Sequence, residues 1–231
     1  MQLNNNNHFD FVYYGHHSNP HINKIKLIFE ELKSLGVTWD FREINTVKQE
    51  NYSDEFIEQN PNKKIPALVD NTFEEPFFIF ESGSVLIYLS QKYSKFLPDF
   101  RINSGVNTWT VYQVANLGSS LSRYTPSSNE FSQKQPQQLD SEVERVLKLL
   151  DERLAVNQYI GGKDYSIADI ATAGWLLYLN HMPLFNCTRD SHKNIFKWLE
   201  LINQRESVQK VSSQIKDSLI SFNLIPTIRS L

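Results

Sequence analysis

Glu81 and Ser82 stand side by side ahead of Val85, Leu86, Leu89 and Tyr93, an apolar stripe at helical spacing. Ser82 therefore falls at a helix N-cap or in the first turn, beside backbone N–H groups without helical acceptors. Those groups and the helix dipole favour an anion. Glu81 supplies a negative charge next door, suited to an ammonium. One carboxylate seat beside one ammonium seat fits an α-amino-acid head group. An ordinary cap preceded by an exposed acid is the plainer reading of the pair taken alone. Upstream, Lys64-Ile65-Pro66-Ala67-Leu68-Val69 places a proline inside an apolar strand pattern. Proline cannot donate to a ladder, so Pro66 marks an edge or a strand start. A cis Ile65–Pro66 bond would aim the Ile65 backbone at a ligand, although local sequence alone favours trans. Together these residues can hold an extended peptide with a free carboxylate.

A second cluster is the loop Gly15-His16-His17-Ser18-Asn19-Pro20-His21, which leads into a helix. Ser18, Asn19 and His21 each bring a hydrogen-bond donor to a helix start, and each is otherwise a solvated loop residue. Three histidines invite a metal reading, but the loop holds no carboxylate or cysteine and structural sites want four ligands, so no metal is expected. Cys187 is the single cysteine, which excludes an internal disulfide and a Cys-x-x-Cys pair. Thiol chemistry would need a thiol carried in by a ligand. Lowering a thiol pKa from near 8.5 by about two units takes roughly 2.7 kcal/mol. One hydrogen bond to a charged group contributes roughly 1.5–3 kcal/mol, and a helix N-terminus about 0.3–1 kcal/mol. One well-aimed donor is therefore enough, without a buried base.

The elements that must position these residues change character along the chain. Phe11 to Tyr14 reads as a strand, Ile25, Ile28, Phe29 and Leu32 as a helix stripe stopped by Gly36, and Val37 to Ile44 as a second strand. Tyr52 to Gln59 predicts a short helix, Ile65 to Val69 and Phe77 to Phe80 two further strands, and Ser82 opens a helix. Ser94 to Asn103 reads as a linker; beyond it only helical periodicity remains. Val106, Trp109, Gln113, Val114, Leu117 and Leu121 predict one helix. Tyr124 to Gln138 predicts a loop, and Val143, Val146, Leu147, Leu150 and Leu154 another helix. Ser166 opens a third, with Asp169 three residues on completing a capping box, which already explains that acid. Ile195 to Ile202 lies in a fourth, and Val208 to Leu231 predicts a last helix and a tail. The order βαβ–α–ββα followed by helices predicts an α/β layer and then an all-helical unit. A net charge of −3 predicts no broad nucleic-acid footprint, and no apolar run reaches membrane-spanning length. The polar, Asn-rich start is not a signal peptide, and a reducing cytoplasm is the simplest compartment.

Pro66, Glu81-Ser82 and the box Tyr165-Ser166-Ile167-Ala168-Asp169-Ile170 together resemble the cytosolic glutathione transferase superfamily, from about Phe9 to about Ser207. Trp109-Thr110-Val111-Tyr112-Gln113-Val114, leading to Gly118, is similar to the fourth helix of its Nu-class and disulfide-bond oxidoreductase branch. The resemblance implies an α/β thioredoxin-like N-terminal domain plus an all-α C-terminal domain. The corresponding boundaries are a disordered tail at 1–8, a glutathione-binding domain at 9–93, a linker at 94–103 and a helical domain at 104–231. It implies a cis Pro66 and glutathione as the substrate that carries the thiol. Asn51 and Lys64 would face the glycine carboxylate, the Ile65 backbone with Pro66 the cysteinyl residue, and Glu81 and Ser82 the γ-glutamyl head. Ser18-Asn19-Pro20 resembles the Ser-x-Pro of serine-type transferases, which ranks Ser18 first as thiolate donor, then Asn19, then His21. The branch's Thr-Pro-Asn is departed from at Asn19 and His21, and Tyr14 is the tyrosine-type alternative. A small electrophilic or disulfide second substrate would lie between the domains, with Tyr112, Arg123, Tyr124 and Trp175 as lining candidates. The implied activity is conjugation of glutathione to electrophiles. The alternatives are glutathione-dependent disulfide-bond reduction and a non-catalytic binding module. A homodimer through the helices at Ser82 and Trp109 is implied as well.

Overall fold

The computed structural model describes residues 9–17, 19–98, 100–122, 136–181 and 187–221. Strands β1 (Phe11–Gly15), β2 (Trp39–Glu43), β3 (Ala67–Asp70) and β4 (Phe77–Phe80) form one mixed sheet in the order β2-β1-β3-β4. β1 and β2 are parallel, with Tyr13 opposite Phe41; β3 runs antiparallel to both β1 and β4. The period of two in β1 sorts its aromatics. Phe11 and Tyr13 meet Phe29 of α1 (Pro20–Leu32) at ring distances of 5.4 and 5.6 Å, while Tyr14 meets Phe56 of α2 (Asp54–Gln59) at 6.2 Å on the other face. Helices thus cover both faces of a thioredoxin-like sheet. Asn19 caps α1, Pro20 occupies its first turn, and after a short 3-10 turn Gly36 ends the run at φ 79°.

The placement of α3 (Ser82–Tyr93) matters most for the site. Asp70, fully buried at the end of β3, accepts from the Tyr88 hydroxyl at 2.5 Å and pairs with Lys92 at 2.8 Å. Both partners lie on α3, so its axis is pinned to the strand that follows Pro66. Burial alone would raise the Asp70 carboxyl, but its bonds to Lys92, Thr72 and Tyr88 outweigh that and hold it below the usual range.

The second half comprises α4 (Phe100–Tyr112), a π-helical turn (Gln113–Gly118), α5 (Ser119–Ser122), α6 (Pro136–Val156), α7 (Ile167–His181), α8 (Lys193–Ile202) and α9 (Glu206–Ser221). α7 is apolar all round, as a central helix must be, and packs against α1, α4 and α9. Gly174 on α7 lets the two halves meet: a Cβ there would lie 2.7 Å from Lys24 Cγ and 2.9 Å from its backbone nitrogen. Asn23 of α1 donates to the Gly174 carbonyl at 3.2 Å. Farther along α1, Arg205 grips Glu31 with two bonds of 2.6 Å, and Ser207 adds a third at 2.5 Å.

Several boundaries differ from the sequence reading. α4 starts at Phe100, inside the stretch read as linker, and α6 starts at Pro136, inside the stretch read as loop. A proline at a helix start satisfies helix geometry as well as loop geometry, so its composition misleads. The helix predicted through Val106 to Leu121 contains the π turn. The capping box closes differently too. Ser166 donates both its N–H and its hydroxyl to one Asp169 oxygen, each at 3.0 Å, instead of accepting from the Asp169 N–H. The other oxygen accepts from the Ile160 N–H and from Trp198 Nε1, both at 2.9 Å. Asp169 thereby ties α7 to α8 and to the turn before it. Among the described residues, no helix is long and apolar enough to cross a membrane.

Candidate functional site

The Ile65–Pro66 peptide is cis, against the local statistics that favour trans. β3 begins only at Ala67, so the Ile65 backbone lies outside the ladder. The turn leading to it is held from behind. Asn60 donates to the Lys64 carbonyl and accepts from the Asn62 N–H at 2.9 Å, and Asn51 donates to the Lys63 carbonyl at 2.8 Å. Asn62 in turn reaches Glu81 Oε1 at 3.2 Å, joining this turn to the mouth of α3.

At that mouth, Glu81 is the N-cap, with φ 66° and ψ 115°. A non-glycine residue rarely adopts positive φ, and such outliers concentrate at functional sites. The first helical bond runs from Val85 N–H to Glu81 O at 3.0 Å, so the N–H groups of Ser82, Gly83 and Ser84 have no helical partner. Ser82 itself is buried in the first turn. An open cleft of about 250 Å³ runs past these residues. His21, Lys64, Ile65, Pro66, Glu81 and Ser82 line one side. Val114 of the π turn, with Ser119 and Ser122 of α5, lines the other.

Six of the nine residues predicted for the site therefore share one cleft. Asn51 is not among its walls; it supports the turn through the Lys63 carbonyl. Asn19 is not among them either: its side chain caps α1 by accepting from the His21 N–H at 2.8 Å, and its own N–H donates to the His16 carbonyl. Ser18 lies outside the described residues, as do Arg123 and Tyr124. Tyr112 donates to the Val146 carbonyl at 3.0 Å and Trp175 is fully buried, so neither lines the cleft; Val114, Ser119 and Ser122 hold that wall instead. The loop histidines diverge: His16 pairs with Glu43 at 3.7 Å, His17 packs on Phe41, and His21 packs edge-on against Trp175.

Lys24 is the residue that sequence reasoning missed. Its side chain is wholly buried, yet its ammonium lies 3.1 Å from Ser82 Oγ and 3.3 Å from His21 Nδ1. An ammonium has only donors, so it gives a hydrogen bond to each. With Lys24 protonated, His21 Nδ1 acts as acceptor and the ring proton sits on Nε2. Burial, then the neighbouring Lys24 and Lys64 charges, push the His21 pKa well below 6.5, so the ring is neutral near pH 7. Burial pushes Lys24 down to about 7, with Glu81 opposing. A carboxylate seated at Ser82 would add a second counter-charge to the one Glu81 supplies. Lys24 also stands three and four residues before the buried Leu27 and Ile28; a charge on that apolar face was the available signal.

Lys24→Met should separate stability from binding. The unfolded chain keeps the Lys24 proton to about 10.5, whereas the folded chain releases it near 7. Between those values the unfolded state carries the extra proton, so this group makes stability rise with pH. Its penalty is complete below pH 7 and fades above. The variant is expected to melt higher than the wild type at pH 6.5, with the gap narrowing by pH 9. Calorimetric melts at both pH values check this; a lower-melting variant at pH 6.5 would contradict it.

Comparison with known proteins places this geometry. Residues 10–91 match the family model described as glutathione S-transferase, N-terminal domain, and residues 112–206 match glutathione S-transferase, C-terminal domain. A glutathione S-transferase domain-containing protein of Dictyostelium discoideum is 51% identical over 94% of this chain and 86% of its own length. The disulfide-bond oxidoreductase YghU of Escherichia coli is 31% identical over 83% of this chain and 70% of its own length. Among solved structures, glutathione transferase YghU from Streptococcus pneumoniae, complexed with glutathione, matches with a TM-score of 0.77 and 30% identity, over 90% of this chain and 84% of that one.

Proposed function

The chain belongs to the glutathione S-transferase family, and from that premise we propose that it binds glutathione in the cleft beside Pro66 and Ser82 and uses the bound thiolate as a nucleophile. The carrying observation is the convergence of an unladdered Ile65 backbone, three free α3 N–H groups with Glu81, and exposed Lys64 on one cleft. In this reading the γ-glutamyl carboxylate sits over Ser82, its ammonium against Glu81, and the glycine carboxylate near Lys64. The cysteinyl amide pairs with Ile65. His21 Nε2–H becomes the thiolate donor among the described residues, since it lines the cleft and Asn19 does not. The second substrate faces Val114 and Ser119.

In conjugation, a C–S bond forms and the leaving group departs with its electron pair. A second reading is disulfide reduction, favoured by the identity to YghU of Escherichia coli, named a disulfide-bond oxidoreductase. There the thiolate attacks one sulfur, a thiolate leaves, and a second glutathione releases glutathione disulfide. Turnover with 1-chloro-2,4-dinitrobenzene and with hydroxyethyl disulfide, after retention on glutathione resin, separates the two. Aryl-halide turnover supports conjugation and disulfide turnover alone supports reduction. Retention without either leaves a binding module, and failure of retention overturns the ligand assignment.

A further inference from the structure

His21, Lys24 and Ser82 bring three polar atoms into one small triangle. Lys24 Nζ lies 3.1 Å from Ser82 Oγ and 3.3 Å from His21 Nδ1, and Oγ lies 3.4 Å from Nδ1. His21 and Ser82 line the cleft beside Pro66; Lys24 does not, and is wholly buried. The helix sets this up, because residues three apart on α1 project from one side of it. In the free protein Nδ1 has two donors within reach, the Lys24 ammonium and the Ser82 hydroxyl, and either keeps the ring proton on Nε2. The ammonium is not firmly held, since burial brings Lys24 down to about 7. A neutral amine can accept, so above that pH the ring is free to carry its proton on Nδ1 instead. The other charges felt by Lys24 and His21 are Glu81 at the mouth of α3 and Lys64 on the turn before Pro66. From α7 they meet Gly174 and Trp175, which carry none.

We propose that Lys24 is a positioning residue that couples the two ends of the site: a carboxylate seated at Ser82 draws away the Ser82 proton, leaves Lys24 as the donor to His21 Nδ1, and so holds the ring proton on Nε2 for the thiolate. This rests on the glutathione reading and on His21 as the thiolate donor. The carboxylate is also a counter-charge, so it raises the Lys24 pKa, and binding above pH 7 takes up a proton from solvent. Activation of the thiol then depends on the far end of the peptide. A thiol without that carboxylate leaves Ser82 bonded to the ring and Lys24 free to lose its proton, so it is bound without being activated.

S-Methylglutathione, which keeps the head group but has no ionisable thiol, isolates the coupling. Titration calorimetry of the full chain with it at pH 8, in two buffers of different ionisation enthalpy, should show uptake of most of one proton per site. Lys24→Met should still bind it with that uptake lost, and Lys24→Arg, always charged, should bind it without uptake. Nitrogen-15 spectra should place the His21 ring proton on Nε2 in the wild-type and Lys24→Arg complexes and show it shared with Nδ1 in that of Lys24→Met. With glutathione itself, the ultraviolet band of the bound thiolate should titrate about one to two pH units higher in Lys24→Met, the equivalent of one lost hydrogen bond to a charged group, and return toward wild type in Lys24→Arg. Lys24→Leu replaces the methionine variant if that one does not fold. Binding of S-methylglutathione without proton uptake, or a Lys24→Met complex whose His21 tautomer and thiolate titration match the wild type, overturns the proposal and leaves the glutathione reading standing. Failure of S-methylglutathione to bind the wild type overturns both.

Discussion

Asp169→Ala is expected to destabilise the chain by about 3–5 kcal/mol, from four buried donors at roughly 1–3 kcal/mol each less the relief of unburying a carboxylate. The donors left without that acceptor are the Ile160 N–H, the Ser166 N–H and hydroxyl, and Trp198 Nε1–H. They belong to the turn before α7, to Ser166 just ahead of its first residue, and to α8, so one carboxylate organises three segments. Asp169→Asn keeps one oxygen but turns an NH2 toward donors, and should cost less than the alanine variant while still destabilising. Urea denaturation followed by tryptophan fluorescence measures both. An alanine variant within about 1 kcal/mol of wild type would mean that these bonds are replaced by water at little cost.

Ser82→Ala should cost folding only about 1–3 kcal/mol, for the one acceptor it takes from the buried Lys24 amine, and weaken glutathione about 10–100-fold, the equivalent of one hydrogen bond to a charged acceptor. In the free protein the Ser82 oxygen accepts from Lys24 at 3.1 Å while the hydroxyl also lies 3.4 Å from His21 Nδ1, so a seated carboxylate would draw its proton away from that ring. The alanine variant removes that donor and leaves Lys24 with His21 alone. The expected signature is a higher KM for glutathione with a smaller change in kcat, because the seat lies at the γ-glutamyl end and not at the sulfur. Affinity within twofold of wild type would show that the carboxylate sits elsewhere.

These two residues illustrate what a sequence carries. The Ser166–Asp169 spacing exposed a capping box because that motif is local, three residues wide and read from side-chain types. The Trp198 and Ile160 partners were invisible, since they join only when α8 folds back. Glu81-Ser82 was legible for the same local reason, and the strand and helix periods around it followed the pleat and the turn. The Pro66 isomer was not fixed by its neighbours; the family resemblance supplied it. Lys24 was missed because a lysine inside a helix ordinarily reads as solvated, and only the approach of α7 at Gly174 buries it. The π turn has no compositional mark, yet Val114 and the serines just beyond it supply the far wall of the cleft.

The most direct test is a crystal structure of the chain grown with millimolar reduced glutathione. The expected complex has the γ-glutamyl carboxylate within hydrogen-bond reach of Ser82, the cysteinyl amide paired with the Ile65 backbone, and the sulfur beside His21. Clear density for these side chains with the cleft empty, or the peptide bound away from Pro66 and Ser82, would contradict it.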